Sequence, residues 1–279
     1  MATEVKNYTL EEQIVCQIAG AFGMGDMIAI MAISNCSLVG AALAQRLYAP
    51  DLAIAQQIKG NKGWVWLSNV VLPFPPNRPP EQCTEIPFNT DEIFNLQLAG
   101  KLNVLMTPAQ IDKFGNMNIS AVGDWKKPTA VLAMARGVPD NTTNGKAVFY
   151  VVNNHSTRVF VNRVDFVCGY GQGAEREKGV IKYGRPEKVF SNLAVLDFEE
   201  ETDRMRLKSV HTGVSLQQVV DSTGFELVMP DPVPETPSPT EEELQLIREV
   251  IDPRGVRRLD FLKGEALQQA MREINAGHQ

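Results

Sequence analysis

A continuous apolar run at residues 27–33, followed by a polar loop, a helical pattern and a second apolar run, constrains the fold most strongly. The run Met27-Ile-Ala-Ile-Met-Ala-Ile33 has no polar alternation, which is typical of a strand buried on both faces of a parallel sheet. The loop at 34–37 leads into a predicted helix at 38–48 and a predicted strand at 52–56. This β-loop-α-β unit predicts a right-handed crossover and places the loop at the carboxyl ends of the strands, where open α/β sheets bind ligands.

The rest of the chain extends this pattern, and we predict an α/β fold with an open, mostly parallel sheet, flanking helices and a C-terminal helical extension. Thr9 and Glu12 form a capping box that opens an amphipathic helix. Further helices are predicted at 91–99, from Ser215 to near Thr223, from Thr240 onward and at 259–274. Strands are predicted at 103–106, 129–135, 147–152, 159–168 and 189–198, with 204–210 as an antiparallel edge strand.

Proline content divides the chain into three predicted parts. Residues 1–228 form the α/β domain, and residues 229–239, with five prolines in eleven positions, form an extended linker. Residues 240–279 form a helical tail. Residues 60–89 show no clear element and are either a surface excursion packed by its own tryptophans or a loop that faces a partner.

Composition excludes several classes of protein. A net charge of −6 without a basic block argues against nucleic-acid binding, and no apolar run reaches the roughly 20 residues needed to cross a membrane. Residues 1–12 lack the build of a signal peptide, so a cytoplasmic location is expected. The four cysteines form no CxxC pair and the three histidines show no ligand spacing, so we expect a reduced protein without a metal.

A polar turn after the predicted strand at 103–106 contains the most specific motif. Gly115 can adopt a positive φ, and Asp or Asn side chains can bond to their own backbone, as in any solvated hairpin. The order Ala109-Gln-Ile-Asp112 and Phe114-Gly-Asn-Met-Asn118, however, resembles the signature of β subunits of class I coenzyme A transferases. The resemblance covers roughly residues 8–255, and residues 136–144 and 154–161 resemble a branch that hydrolyses ring-containing CoA thioesters.

This resemblance implies the β subunit of a heteromeric enzyme, an α2β2 heterotetramer. The implied reaction is hydrolytic ring opening of an alicyclic or steroid-derived acyl-CoA, with CoA entering only as part of the substrate and no separate cofactor. Two alternatives stay open, a CoA-transferase subunit for a dicarboxylic acyl group and a non-catalytic scaffold.

The transferases of the family carry a nucleophilic glutamate just beyond the second strand, and this chain has no carboxylate there. Counting from Pro50-Asp51 puts Gln57 at that position, or Ile58 if Gly60 is the anchor. Neither an amide nor an aliphatic side chain can form the covalent intermediate. The resemblance therefore implies a catalytic glutamate on the α subunit and an active site that the two chains share.

Four side chains are candidates for substrate binding, namely Asn35, Gln57, Gln110 and Arg136. Gln57 could bond to a substrate carbonyl or point to water as an ordinary strand residue. The helix that follows Asn35 could offer its N–H groups to an oxyanion or be capped by a serine of the 34–37 loop.

Two further residues leave a functional and a structural alternative open. Arg136 could hold a substrate carboxylate or pair with Asp140. His155 follows a buried strand, and we favour a hydrogen-bonded structural histidine over a catalytic one.

Overall fold

A mixed sheet organises the part of the chain that this computed structural model describes, namely residues 7–30, 34–60, 63–68, 86–88, 90–132, 137–173, 179, 181 and 183–276. For residues 56–60, 63–68, 86–88, 90–91 and 275–276 it describes the backbone alone. The strands are β1 (Met27–Ile30), β2 (Ala53–Gly60), β3 (Gly63–Ser68), β4 (Ile86–Phe88), β5 (Leu102–Met106), β6 (Gln110–Ile111), β7 (Met117–Asn118), β8 (Ala121–Asp124), β9 (Lys127–Val131), β10 (Ala147–Val152), β11 (Arg185–Ser191), β12 (Ala194–Phe198) and β13 (Met205–Val210). The α-helices are α1 (Leu10–Ala19), α2 (Asn35–Leu47), α3 (Thr90–Leu98), α4 (Val138–Asn144), α5 (Leu216–Asp221), α6 (Glu241–Gln245) and α7 (Gly264–Ala276).

Within the described residues, nine strands form the main sheet in the order β13-β12-β11-β10-β5-β1-β2-β3-β4. The five central strands, β11 to β2, are parallel, and the pairs at both edges are antiparallel. Strand β1 lies between β2 and β5, so the order of strand addition reverses there. The crevice at the carboxyl ends of β1 and β5 is therefore the topological switch point at which α/β sheets bind ligands.

Both faces of the parallel strands are buried, as the apolar run of β1 predicts. Ile28 and Ile30 pack with α1 and α2 in one core, whereas Ala29 belongs to the core on the opposite face. The same alternation divides β10, where Phe149 faces α1 and Tyr150 faces the other core. These observations confirm the α/β fold with flanking helices.

Some of the predicted helices and strands are confirmed and others are wrong. Thr9 and Glu12 form the predicted capping box of α1, and the predicted edge strand is β13. The prediction of a strand at 159–168 is wrong, because these residues form turns with a single β-bridge at Phe160. The predicted strand at 189–198 is two antiparallel strands, β11 and β12. For the strand predicted at 129–135, residues 129–131 are confirmed as part of β9, which pairs with β8 and not with the main sheet.

Residues 60–89 contain two strands that the sequence did not predict. Strand β3 pairs antiparallel with β2, and β4 pairs with β3 at the edge of the sheet. Residues 61–62, 69–85 and 89 lie outside the described residues, so the alternatives for this segment stay predictions.

The C-terminal part of the chain packs on the helices that open the fold. The segment 229–239 runs beside β13, where the Thr236 N–H donates to the Val210 carbonyl over 2.8 Å. Beyond α6 follow a π-helical turn (Leu246–Ile251), a 3-10 helix (Val256–Asp260) and α7. In the described residues no helix combines the length and apolar character of a membrane span.

A buried ionic network holds this tail to α1. The Glu12 side chain is 1% exposed and accepts two hydrogen bonds from Arg248, both at 2.8 Å, and one from Arg257 at 2.7 Å. Arg257 also donates to Asp252 over 2.9 Å. Burial alone would raise the pKa of Glu12, but these hydrogen bonds and the nearby arginine charges outweigh it and lower the pKa to about 2.

Candidate active site

The carboxyl edge of the parallel strands brings together the N-terminus of α2, the loop that follows β5 and an extension of β2. Ile30, the last described residue of β1, is paired with Gln56 and with Leu105. Gln57 is therefore the first residue of β2 beyond that pair, and its backbone is paired with Trp66 of β3. The backbone thus places Gln57 at the rim of the crevice, whereas its side chain lies outside the description.

The N-terminus of α2 is occupied by a carboxylate of the same chain. Asp260 accepts hydrogen bonds from Ser34 Oγ at 2.8 Å, from the Asn35 N–H at 2.9 Å, from Asn35 Nδ2 at 2.8 Å and from the Cys36 N–H at 2.9 Å. Free N–H groups and the helix dipole make such a terminus attractive to anions. The N-terminus of α2 therefore does bind a negative group, as the sequence predicts, but that group is the Asp260 carboxylate of the same chain.

The prediction of a loop at 34–37 and a helix from 38 is wrong at this end, because α2 begins at Asn35 and residues 35–37 form its first turn. Ser34 Oγ accepts from the Ser37 N–H over 3.3 Å, which confirms the alternative of a serine N-cap. Cys36 is fully buried, with its Sγ 3.7 Å from the Arg257 carbonyl, and burial followed by the charge of Asp260 raises the pKa of its thiol. A thiol in this state is a poor nucleophile.

The motif turn between β6 and β7 is held by Asp112. Its Oδ1 accepts from the Phe114 and Asn116 N–H groups at 3.0 and 3.1 Å, and Gly115 adopts φ +78°. The Tyr150 hydroxyl donates to the Gly115 carbonyl over 3.0 Å, which ties the turn to β10. A Cβ on Gly171 would overlap the backbone of this turn. The motif therefore specifies a turn of fixed shape.

Gln110 lies in a buried amide network and is only 6% exposed. Its Oε1 accepts from Asn118 Nδ2 at 2.7 Å, and its Nε2 donates to Asp165 at 2.9 Å. Asp165 also accepts from the Gly123 N–H of the β8–β9 hairpin over 2.9 Å. This geometry supports a structural role for Gln110, and the predicted contact with substrate stays a prediction.

Arg136 lies outside the described residues, so its two alternatives stay open. The helix α4 that follows it is described, with Asp140 exposed and Asn141 buried. Asn141 Oδ1 accepts from Gln97 over 2.6 Å, which joins α4 to α3.

His155 is the structural histidine that we favoured. Its ring nitrogens lie 2.8 Å from Ser191 Oγ and 3.0 Å from Thr223 Oγ1, and its ring stacks on Phe160 at 3.7 Å. Burial lowers the pKa of His155 to about 3, so the ring is neutral at physiological pH. In the described residues no group of three or more histidine, cysteine, aspartate or glutamate side chains is arranged to hold a metal ion.

Sequence reasoning missed Asp260 and Asp165, which join segments far apart in the chain. Asp260 lies 226 positions after Ser34, and Asp165 lies 55 positions after Gln110. Acidic residues in polar segments are common, and no local sequence pattern identifies these two as hydrogen-bond acceptors for distant N–H groups.

Comparison with known proteins places this geometry in a family. The family model for coenzyme A transferase matches residues 82–222. The cholesterol ring-cleaving hydrolase IpdB subunit of Mycobacterium tuberculosis is 36% identical over 249 residues, which cover 87% of this chain and 95% of the relative. One subunit of the glutaconate CoA-transferase of Acidaminococcus fermentans is 29% identical over 258 residues, which cover 88% of this chain and 94% of the relative.

Solved structures agree with the sequence relatives. The crystal structure of Rhodococcus jostii RHA1 IpdAB superposes with a TM-score of 0.78 and 32% sequence identity, covering 94% of this chain and 100% of the other. The family model spans half of the sequence, and a relative more than 30% identical is covered almost completely. The chain therefore belongs to the coenzyme A transferase family.

Proposed function

We propose that this chain is the β subunit of a heteromeric enzyme that opens a ring of an alicyclic or steroid-derived acyl-CoA by hydrolysis. The observation that carries the proposal is Gln57, an amide at the rim position where transferases of this family carry a nucleophilic glutamate. The likeness to the IpdB subunits, which are named as parts of a cholesterol ring-cleaving hydrolase, supports the hydrolytic reaction.

The catalytic carboxylate then comes from an α subunit. The relatives are named as subunits, and the solved relative carries the joint name IpdAB, so an α partner accounts for the missing group. Asp260, the carboxylate that the structure places at the switch-point edge, is engaged by four donors and caps α2. An α2β2 assembly is the stoichiometry that we propose.

In this mechanism the α-subunit glutamate acts as a base toward water, which adds to a ring carbonyl of the substrate. The adjacent carbon–carbon bond breaks, the carbonyl carbon becomes a carboxylate at one end of the opened chain, and the carbanion released at the other end takes up a proton. The β subunit provides a wall of the site, in which Gln57 and Arg136 hold the carbonyl or carboxylate groups of the substrate. Such contacts accelerate the reaction only when they strengthen as charge develops.

The proposal includes a cytoplasmic enzyme that needs no cofactor besides the CoA portion of its substrate. The three described cysteines, Cys16, Cys36 and Cys168, are free and buried, which agrees with a reducing compartment.

An oxygen-18 experiment distinguishes hydrolysis from CoA transfer. The α subunit and this chain are purified as a complex and incubated with a ring-containing acyl-CoA in labelled water, with and without an acceptor acid. We expect turnover without the acceptor and one labelled oxygen in the new carboxylate. Turnover that requires an acceptor acid, with a covalent adduct on this chain, would instead establish the transferase alternative that the 29% identity to glutaconate CoA-transferase keeps open.

Single substitutions separate a site-forming subunit from a scaffold. We expect Gln57→Ala and Arg136→Ala each to lower kcat/KM by roughly tenfold or more, because a lost polar contact to developing charge costs at least that much. Gln217→Ala, at an exposed amide on α5, is the matched control and should leave turnover unchanged. Full activity in both site variants, with the complex intact, would identify the chain as a scaffold.

A further inference from the structure

A cavity separate from the crevice lies on the α1 face of strands β11, β12 and β13. Its volume is about 670 Å³, within the range of small-molecule sites. Phe190 and Val195, both buried members of the core under α1, form an apolar floor. Pro234 and Pro237 of the segment 229–239 and Gln17 of α1 also line the cavity.

Positive charge gathers on the strand side of the cavity, where Lys188, Arg206 and Lys208 line it. The cavity also has two lining carboxylates, Glu235 and Glu243, on other segments, and Glu243 accepts hydrogen bonds from the Tyr48 hydroxyl and from Thr240. Asp197 accepts two hydrogen bonds from Arg206, at 2.8 and 2.9 Å, and one from Lys208 at 3.2 Å. One carboxylate is thereby shared between two cations.

Lys188 does not take part in these hydrogen bonds to Asp197. Its ammonium makes no hydrogen bond or ion pair with another side chain in the described part of the protein, although it is partly buried. Burial, and then the neighbouring charge of Lys208, lowers the pKa of Lys188, and the charges of Glu187 and Asp197 offset this only in part. An anion bound beside Lys188 would favour its charged form.

The cavity is distinct from the proposed catalytic crevice. Strand β11 is two strands away from β5 in the sheet, and β13 is four strands away. At about 4.8 Å per strand, the two sites are separated by roughly 10 to 19 Å. The inference below therefore does not depend on the proposed reaction.

We propose that this cavity binds an amphipathic organic anion, an acid whose headgroup pairs with Lys188 and whose apolar body packs on Phe190 and Val195. The charge of Lys188 selects an anionic headgroup, since Arg206 and Lys208 already share Asp197. The apolar floor selects a carbon skeleton, because a small inorganic anion would leave that surface uncovered.

Fluorescence titration with 1-anilinonaphthalene-8-sulfonate tests the site on the full chain, because this probe joins a sulfonate to an apolar ring system. We expect saturable binding that Lys188→Met weakens roughly fivefold or more, as expected for a lost charge-assisted contact. Gln17→Trp should abolish it by filling the cavity while all three cations remain. Lys101→Met removes an exposed lysine outside the cavity and is the matched control.

Competition identifies the class of ligand, and circular dichroism verifies that each variant is folded. Decanoate should displace the probe, whereas inorganic phosphate at the same concentration should not. Equal affinity in Lys188→Met and the unsubstituted chain would overturn the proposal. Unchanged binding in Gln17→Trp would place the probe outside the cavity, and displacement by phosphate as effective as by decanoate would refute the amphipathic class.

Discussion

Replacement of Asp260 with asparagine should loosen the N-terminus of α2. The carboxylate accepts four hydrogen bonds of 2.8 to 2.9 Å from Ser34, Asn35 and Cys36. An asparagine keeps one acceptor oxygen but turns an NH2 group toward N–H donors and removes the charge that complements the helix dipole. Each hydrogen bond to a charged group contributes about 1.5–3 kcal/mol, and the favourable end charge adds up to about 2 kcal/mol.

These contributions do not add, because Asp260 is partly exposed and water replaces part of what is lost. We therefore expect Asp260→Asn to cost about 1–2 kcal/mol, which corresponds to roughly a 5- to 30-fold increase in local opening. Hydrogen–deuterium exchange of the Asn35 and Cys36 amides in the purified complex measures this directly. Asp231→Asn, at an exposed carboxylate, should leave both rates unchanged.

If the Asn35 and Cys36 amides exchange at the same rate in Asp260→Asn as in the unsubstituted protein, the carboxylate does not hold this terminus in solution.

Three further predictions follow from the described contacts. The pKa of Glu12 falls from 4.5 to about 2 on folding, so its contribution, about 3 kcal/mol, should be complete above pH 4.5 and lost toward pH 2. Urea midpoints against pH should show this slope, and Glu12→Gln should flatten it. Gly171→Ala should destabilise the protein by about 3 kcal/mol or more, measured as a lower thermal midpoint, because the added Cβ overlaps the motif turn. Gly23→Ala, which meets no atom within 4 Å, is its control. The imidazole NMR signals of His155 should stay those of the neutral ring down to about pH 4, and titration near pH 6.5 would contradict its buried state.

The first unit of the fold was predictable because its signals are local. The apolar run of β1 indicates burial on both faces, and the capping box at Thr9 and Glu12 fixes the start of α1 within four residues. The motif turn was also recognisable, since Asp112 and Gly115 act within five positions of the chain.

The strand predictions fail in segments whose apolar residues are buried but do not pair as one strand. At 159–168, Phe160, Val164 and Cys168 are buried but belong to turns. The apolar residues of this segment therefore indicated burial correctly, but they did not indicate strand pairing. At 189–198, Ser191 Oγ accepts from the Leu193 and Ala194 N–H groups at 3.2 and 3.0 Å and reverses the chain. A serine inside an apolar run gives no sign of this reversal in the sequence.

The site was predictable as an edge of the sheet but not in its contents. Parallel β1 and β2 bring Asn35 and Gln57 to one edge, as the β-loop-α-β unit requires. That Asp260 occupies the α2 terminus depends on how the tail packs against the first two helices, which no pattern near residue 35 encodes.

The contact between Asp260 and the α2 terminus joins residues that lie 226 positions apart in the sequence, so Asp260 is synthesised long after Ser34. While the intervening chain is being synthesised, the N–H groups of Asn35 and Cys36 have only water or a passing anion as acceptors. The rim of the crevice therefore matures late in biosynthesis, after β1, α2 and β2 have already emerged. A nascent chain interrupted before residue 260 would carry the sheet without its finished rim, because it lacks the carboxylate that caps α2.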